Sequence, residues 1–540
     1  MGKEELLDAL VAFQAKASSE AETRAQFAVL HDALRDIQRK RWRFLEDACS
    51  VVLRRIFALV SSSPQESKLR SKSQNEVLSA TEGITLCLYF LEPLVDLTVS
   101  SDQILSDHNE IEKEKDGQEA LNQRAVLVAA LLHLFAAVTS DATANDVTAR
   151  LVANILRCGI DVYVIIATLR FREELVECRR ALLPSCESDT ETESEVGSKD
   201  EEEAEANEFE MEDMRWVSGQ VASMWGLTNF RYFLETSGQA HTFAAWSRHG
   251  IGSFVHALLM NNQHKVNTLP VIASPFSWLF YVAAYAHDMI LSDEHQNRIR
   301  GLELLRVVGK LCPREKLSII IEKEGESSRN RARSFRDQVA SFFNRDWVSP
   351  VIQVTTNAMV SFLETKDRSA ALTVTKELIS KLAVDDRFWL LRGLLMQCPY
   401  GNVSAALLDI VRDDAVRTWS LIDASRSSPF TTAAIYLLLR DILSLAAERD
   451  LVFQADLLAS CMSLVRFLYI RDKGNKTGIR SKAFDCGIQE VLMRIGKRLQ
   501  RKIDEALPYH IADAEPCSAE NFPRLMIVEA SLSSTLELFK

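Results

Sequence analysis

Residues Leu457–Ile479 read LLASCMSLVRFLYIRDKGNKTGI. Leu457, Cys461, Leu464 and Leu468 lie on one helical row, and Leu458, Met462, Val465 and Tyr469 lie on the row beside it. The two rows make one broad apolar face and leave Ser460, Ser463 and Arg466 toward the other side. This first half is a helix made for burial. The apolar pattern then stops at Arg471-Asp472-Lys473-Gly474-Asn475-Lys476-Thr477-Gly478. Gly474 is the residue expected to take the left-handed conformation that ends the helix, and the cations around it suit the negative end of the helix dipole. The loop carries no chemistry of its own and reads as a recognition element.

Composition points the same way. A chain of 540 residues with 47% hydrophobic and 26% charged residues has the balance of a soluble folded protein. Only 19 Gly and 12 Pro are present, too few for the turns of a β-rich protein, so long helices with short connections are expected. The net charge of −12 is local. Between Glu187 and Asp213 stand fourteen acidic residues and one lysine, so this stretch carries −13 and the remainder of the chain is +1. That balance offers no global attraction for nucleic acid, membranes or acidic substrates. The ten cysteines are scattered singly with no C-x-x-C pair, as small core side chains are in a reducing compartment. Glu4, Glu5 and Asp8 are foreign to a signal peptide, so a nuclear or cytoplasmic location is expected, neither secreted nor membrane-embedded.

Three regions are expected: a helical region over 1–183, an acidic disordered linker over 184–213, and a helical repeat domain over 214–540. In the first, Leu6, Leu10 and Phe13 mark one helix, and a single long helix is expected from Phe27 through Phe57. The basic run Arg39-Lys40-Arg41-Trp42-Arg43 inside it reads either as a solvated face or as an import or phosphate-binding patch. Polar linkers are expected at Ser61–Ser73 and Asp102–Gly117. Ala125–Val138 and Leu151–Leu169 are apolar, but one is short and the other holds Arg157 and Asp161, so both read as core helices. In the linker, like charges repel and little can be buried. Ser188, Thr190, Thr192 and Ser198 each have an acidic residue three positions on, the pattern of acidophilic kinase sites. From Met214 on, helices pair: Ser274–Leu291 with Asn297–Leu311, Ser349–Leu363 with Arg368–Leu382, and Phe388–Cys398 with Ser404–Val411. Phe430–Ala447, Leu457–Ile470 and a last helix over Ala519–Leu538 follow. The fold class expected is all-α, a HEAT/armadillo-like helical repeat solenoid with a disordered acidic insertion.

Signals for catalysis are poor. Gly250-Ile251-Gly252-Ser253 begins like a phosphate loop but lacks the third glycine and a preceding strand. Gly474-Asn475-Lys476-Thr477 lacks the glycine that precedes lysine in a nucleotide-binding loop. His241, His249, His256 and His264 are spaced too widely for ligands on one helix, and Gly250 and Gly252 are expected to break that helix. No catalytic, cofactor-binding or metal-binding residue is assigned, and no cofactor or enzymatic activity is expected. Trp389, in DRFWLLR (Asp386–Arg392), reads either as an interface anchor or as a side chain packed between helices. Arg466, Arg471, Asp472, Lys473, Lys476 and Arg480 gather around the loop after Leu457–Ile470. Together with Trp389 they are the candidate partner-binding residues.

Three stretches carry a resemblance. Leu464–Gly478 fits the pattern L-x-R-[FY]-L-x-I-[RK]-D-x-x-N-x-T-G. Ser274–Phe280 (SPFSWLF) with Gly301–Leu305 (GLELL), and Lys376–Cys398 (KELISKLAVDDRFWLLRGLLMQC), fit beside it. Over about residues 270–480 the chain resembles the glomulin family, which includes plant proteins of aberrant lateral root formation. The resemblance implies a non-enzymatic regulator that binds the Rbx-type RING subunit of cullin–RING (SCF) ubiquitin ligases through C-terminal repeats and masks the surface where the conjugating enzyme docks. The implied partners are the RING subunit and cullin, with no nucleic acid, membrane or small-molecule substrate. Yeast members of the wider family imply a different role, a helical-repeat adaptor for a transcription factor or stress-signalling protein.

Overall fold

A computed structural model of the chain describes residues 2–15, 20–37, 39–60, 79–101, 110–138, 144–160, 162, 165–166, 247–260, 275–318, 347–420, 428–481, 487–511 and 521–539. Among these the fold is all-α, of the helical-repeat kind expected, and the isolated parallel bridge between Leu317 and Leu382 is the only strand-like pairing. No helix among the described residues is long and apolar enough to cross a membrane. The acidic segment, its candidate phosphorylation sites, the linker 61–73, His241 and His264 lie outside the described residues. The described residues form two compact units, one ending at Val308 and the other beginning at Gly309.

The first unit holds α1 (Gly2–Ala15), α2 (Glu20–Asp36), α3 (Arg41–Val60), α4 (Ala80–Ser101), α5 (Glu110–Ala136), α6 (Ala144–Arg157), α7 (Arg248–Met260), α8 (Pro275–Leu291) and most of α9 (His295–Leu311). The single long helix expected from Phe27 to Phe57 is two. Lys40 takes φ 54 at the break, a left-handed conformation that a helix cannot pass through. Arg41 folds back on the end of α2, its Nε donating to the Ile37 carbonyl at 2.7 Å and its Nη2 to Arg35 O at 3.2 Å. Burial lowers its pKa, so the basic run includes a helix-capping arginine rather than a row of free cations. Ser79 and Glu82 form a reciprocal capping box that starts α4, with Ser79 N donating to Glu82 Oε2 at 2.8 Å and Glu82 N to Ser79 Oγ at 3.2 Å. The charged stretch expected as a linker over 102–117 enters a helix at Glu110, and α5 continues from there into its buried run Ala125–Leu132. Phe13, Phe27 and Phe90 make a chain of ring contacts at 5.8 and 5.3 Å that ties α1, α2 and α4 together.

Gly250 and Gly252 do not break a helix. α7 runs through both, and they let it lie close to its neighbours. A Cβ on Gly250 would stand 2.0 Å from the Leu132 carbonyl oxygen of α5, and one on Gly252 would stand 2.4 Å from Met289 Sδ of α8. A phosphate-loop reading of this stretch ends there.

The second unit holds the end of α9, α10 (Val348–Ser361), α11 (Thr365–Ile379), α12 (Val384–Gln397), α13 (Gly401–Ser420), α14 (Ala433–Glu448), α15 (Ala455–Arg471), α16 (Ile488–Ile511) and α17 (Asn521–Glu537). The helix expected over Phe430–Ala447 begins one turn late, after the 3-10 turn Pro429–Thr431, with Thr432 as its cap. α16 is not among the expected helices, although Ile488, Val491, Leu492, Ile495, Leu499 and Ile503 all reach the core at helical spacing. The buried face of α15 is the one its sequence implies: Leu457, Leu458, Cys461, Met462, Leu464, Val465 and Leu468 are all buried. It packs against α13, α14 and α17.

A strap over residues 312–318 locks the first helices of this unit. Lys316 N and Leu317 N both donate to Lys381 O, at 3.0 and 2.9 Å, and Ala383 N returns a bond to Leu317 O at 2.7 Å. The buried Lys381 ammonium donates to Cys312 O at 2.9 Å and pairs with Glu377 at 2.5 Å. Beneath the strap, Arg387 is almost wholly buried, with Nε 2.8 Å from Asp414 Oδ2 and Nη2 3.3 Å from Glu315 Oε1. Arg417 closes the cluster at 2.7 Å from Glu315 and 2.8 Å from Asp414.

Candidate functional site

The charged loop is built from the end of α15 outward. Asp472 closes the helix, its N–H donating to Leu468 O at 2.8 Å. Its carboxylate turns inward and has no solvent exposure. Lys476 N donates to Oδ1 at 2.9 Å, while Thr477 N and Thr477 Oγ1 both donate to Oδ2 at 2.7 Å. A carboxylate that accepts three bonds from the following residues is a local keystone.

The left-handed residues are not the one expected. Gly474 is absent from that region; Asn475 takes φ 48 and Gly478 takes φ 80. Asparagine tolerates the conformation because its side chain bonds locally. Here Asn475 Nδ2 donates to Ser481 Oγ at 2.8 Å, and its Oδ1 accepts from Arg480 N at 2.9 Å. Four positions of the pattern quoted above, Asp472, Asn475, Thr477 and Gly478, thus fold the loop. The residues between them, Lys473, Gly474 and Lys476, are exposed.

The candidate partner-binding residues therefore divide. Asp472 is buried and unavailable to a partner, which corrects its place in the set. Arg466 is half-buried and donates to Ser531 O of α17 at 3.3 Å, a packing role. Arg471 is exposed but reaches Trp419 O at 3.3 Å. Arg480 is exposed yet held, lying 4.6 Å over the Tyr469 ring and donating to the Tyr469 carbonyl. Lys473 and Lys476 remain, their ammonium groups without an ion-pair partner among the described residues.

Trp389 stands on α12 and shares no hydrogen bond or ring contact with the loop. It does not pack between helices: it is 49% exposed, and the neighbouring Phe388 fills the core instead. Its ring meets Phe388 edge-on at 5.4 Å, with the Arg392 guanidinium 5.5 Å from its centroid. Arg392 is in turn 3.3 Å from Asp441 of α14. One turn before Asp441, Leu437 is also exposed. An aromatic side chain backed by a tethered arginine is the composition of a contact surface.

The buried Arg387 cluster was not among the candidates, although a signal for it exists. Arg387 shares a helical face with the core residues Leu391 and Leu395, and a cation on that face requires a buried partner. Elsewhere, His256 Nε2 lies 2.8 Å from Glu303 Oε2, and that hydrogen bond is the main cause lowering the Glu303 pKa.

No protein-family model matches the chain, and no curated protein is significantly similar to it.

Proposed function

We propose that this chain is a non-enzymatic helical-repeat regulator that binds the Rbx-type RING subunit of a cullin–RING ubiquitin ligase and masks the conjugating-enzyme surface. One observation carries the reading. The stretch resembling the glomulin signature, Leu464–Gly478, folds into a pinned loop whose exposed Lys473 and Lys476 have no ion-pair partner among the described residues. A loop already fixed by its own hydrogen bonds loses little entropy on binding, which suits it to contact a folded partner. Trp389 and Arg392 add a second, aromatic contact. The mechanism is competition: no bond is made or broken, and ligase activity falls because two proteins share one surface.

The test is a ubiquitin-chain assay with a purified neddylated cullin–RING ligase, titrated with the full chain. Inhibition relieved by excess conjugating enzyme, and weakened by Lys473→Glu with Lys476→Glu, is the expected outcome. No inhibition together with no binding to the RING subunit overturns the proposal. Retention of a transcription factor in its place would assign the chain to the adaptor class.

A further inference from the structure

At the opposite end of α15 from the charged loop, two segments and Arg524 of α17 line an open cleft of about 780 Å³. One segment is Pro399–Asn402, running into the start of α13; the other is Arg449–Asp456, running into α15. They are held together by close backbone approach, since a Cβ on Gly401 would meet Phe453 O at 2.1 Å. Arg449 Nη1 braces the first turn by donating to Cys398 O at 2.8 Å.

Two features of the walls point to a ligand. Tyr400 and Phe453 are 51% and 73% exposed, large apolar surfaces flanking the opening. Arg524 of α17 is exposed on the same cavity and has no carboxylate partner among the described residues.

From these we infer that the cavity is a docking groove for a short linear peptide segment of a partner. An apolar side chain lies between Tyr400 and Phe453, and a neighbouring carboxylate faces Arg524. A nucleotide offers a ring and an anion too, but fits worse. Asp450 and Asp456 line the same cavity and oppose a polyphosphate. The glycine turn that would cradle a phosphate is already filled by the Phe453 carbonyl. Arginines and carboxylates balance here, which favours a ligand of low net charge. The groove is independent of the ligase reading.

Random peptides displayed on phage are selected on the full-length chain, and the enriched peptides are labelled with fluorescein and titrated by polarisation. Both test positions are exposed, so Phe453→Ala and Arg524→Glu keep the fold. Enriched peptides should place an acidic residue beside a large apolar one and lose roughly tenfold in affinity on either substitution. Peptides that bind both variants unchanged, or a selection that enriches nothing, overturn the proposal. So does displacement of the peptides by ATP, which would assign the groove to nucleotides.

Discussion

Asp472 and Asn475 show how much of the loop rests on two side chains. Asp472→Ala removes the acceptor of three hydrogen bonds and leaves buried donors unpaired, at an expected cost of about 3 kcal/mol. Urea unfolding monitored by circular dichroism checks this, and Asp472→Asn should lose less because one acceptor oxygen survives. Lys473→Glu and Lys476→Glu touch no described partner and should leave stability within about 0.5 kcal/mol. Glycines make an equally sharp contrast. Gly250→Ala drives a methyl into the Leu132 carbonyl, where neither backbone can yield cheaply, and should cost about 3 kcal/mol in the same measurement. Gly393→Ala, in α12 with nothing within 4 Å of the new methyl, should stabilise by about 0.5–1 kcal/mol through helix propensity.

At the scale of elements, the cluster of Arg387, Asp414, Glu315 and Arg417 joins α12, α13 and the strap. Burial raises the Asp414 pKa above the usual carboxylate value, even though Arg387 and Arg417 pull it down. Ionising Asp414 in the folded state is therefore a net cost. Because its folded pKa is above the unfolded one, its contribution to stability declines as pH rises from the ordinary carboxylate range through the raised pKa. The pair fixes geometry more than it adds stability. Asp414→Ala alone leaves the buried Arg387 with only its longer contact to Glu315 and should cost about 3 kcal/mol, whereas Arg387→Met with Asp414→Leu should recover most of it. A double-mutant cycle by urea unfolding measures the recovery, and additive losses would refute the coupling. What made the helices legible was periodicity: the rows of α15 map directly onto its buried face. Boundaries set by one backbone angle or one cap were not legible. The break at Lys40 and the late start of α14 after Thr432 depend on conformations that hydrophobic pattern does not encode. The loop residues were found as a cluster, but a cluster of charges does not say which carboxylate turns inward; Asp472 does so because the next turn offers it three donors.

At the scale of the whole molecule, each compact unit has its own core, and buried thiols sit in both. Cys49, Cys87 and Cys158 are buried in the first unit, Cys312 and Cys461 in the second. Burial pushes all five thiols up, Cys158 to about 12 and Cys312 to about 11, so the reactive thiolate is scarce in the folded protein at neutral pH. Cys398 is only partly buried and should be alkylated in the native state. The buried thiols become accessible only when their own core opens, so their labelling reports unfolding unit by unit. Pulsed alkylation across a urea series, read by mass spectrometry, should show Cys49, Cys87 and Cys158 reacting with one shared midpoint. Cys312 and Cys461 should share a midpoint of their own. If Cys49 instead reacted well before Cys158, the first unit would be a row of locally opening helix pairs, as expected of a repeat array whose helices contact only their neighbours. The ring contacts from Phe13 through Phe27 to Phe90 argue for the shared midpoint, because they join α4 to helices well before it in the chain.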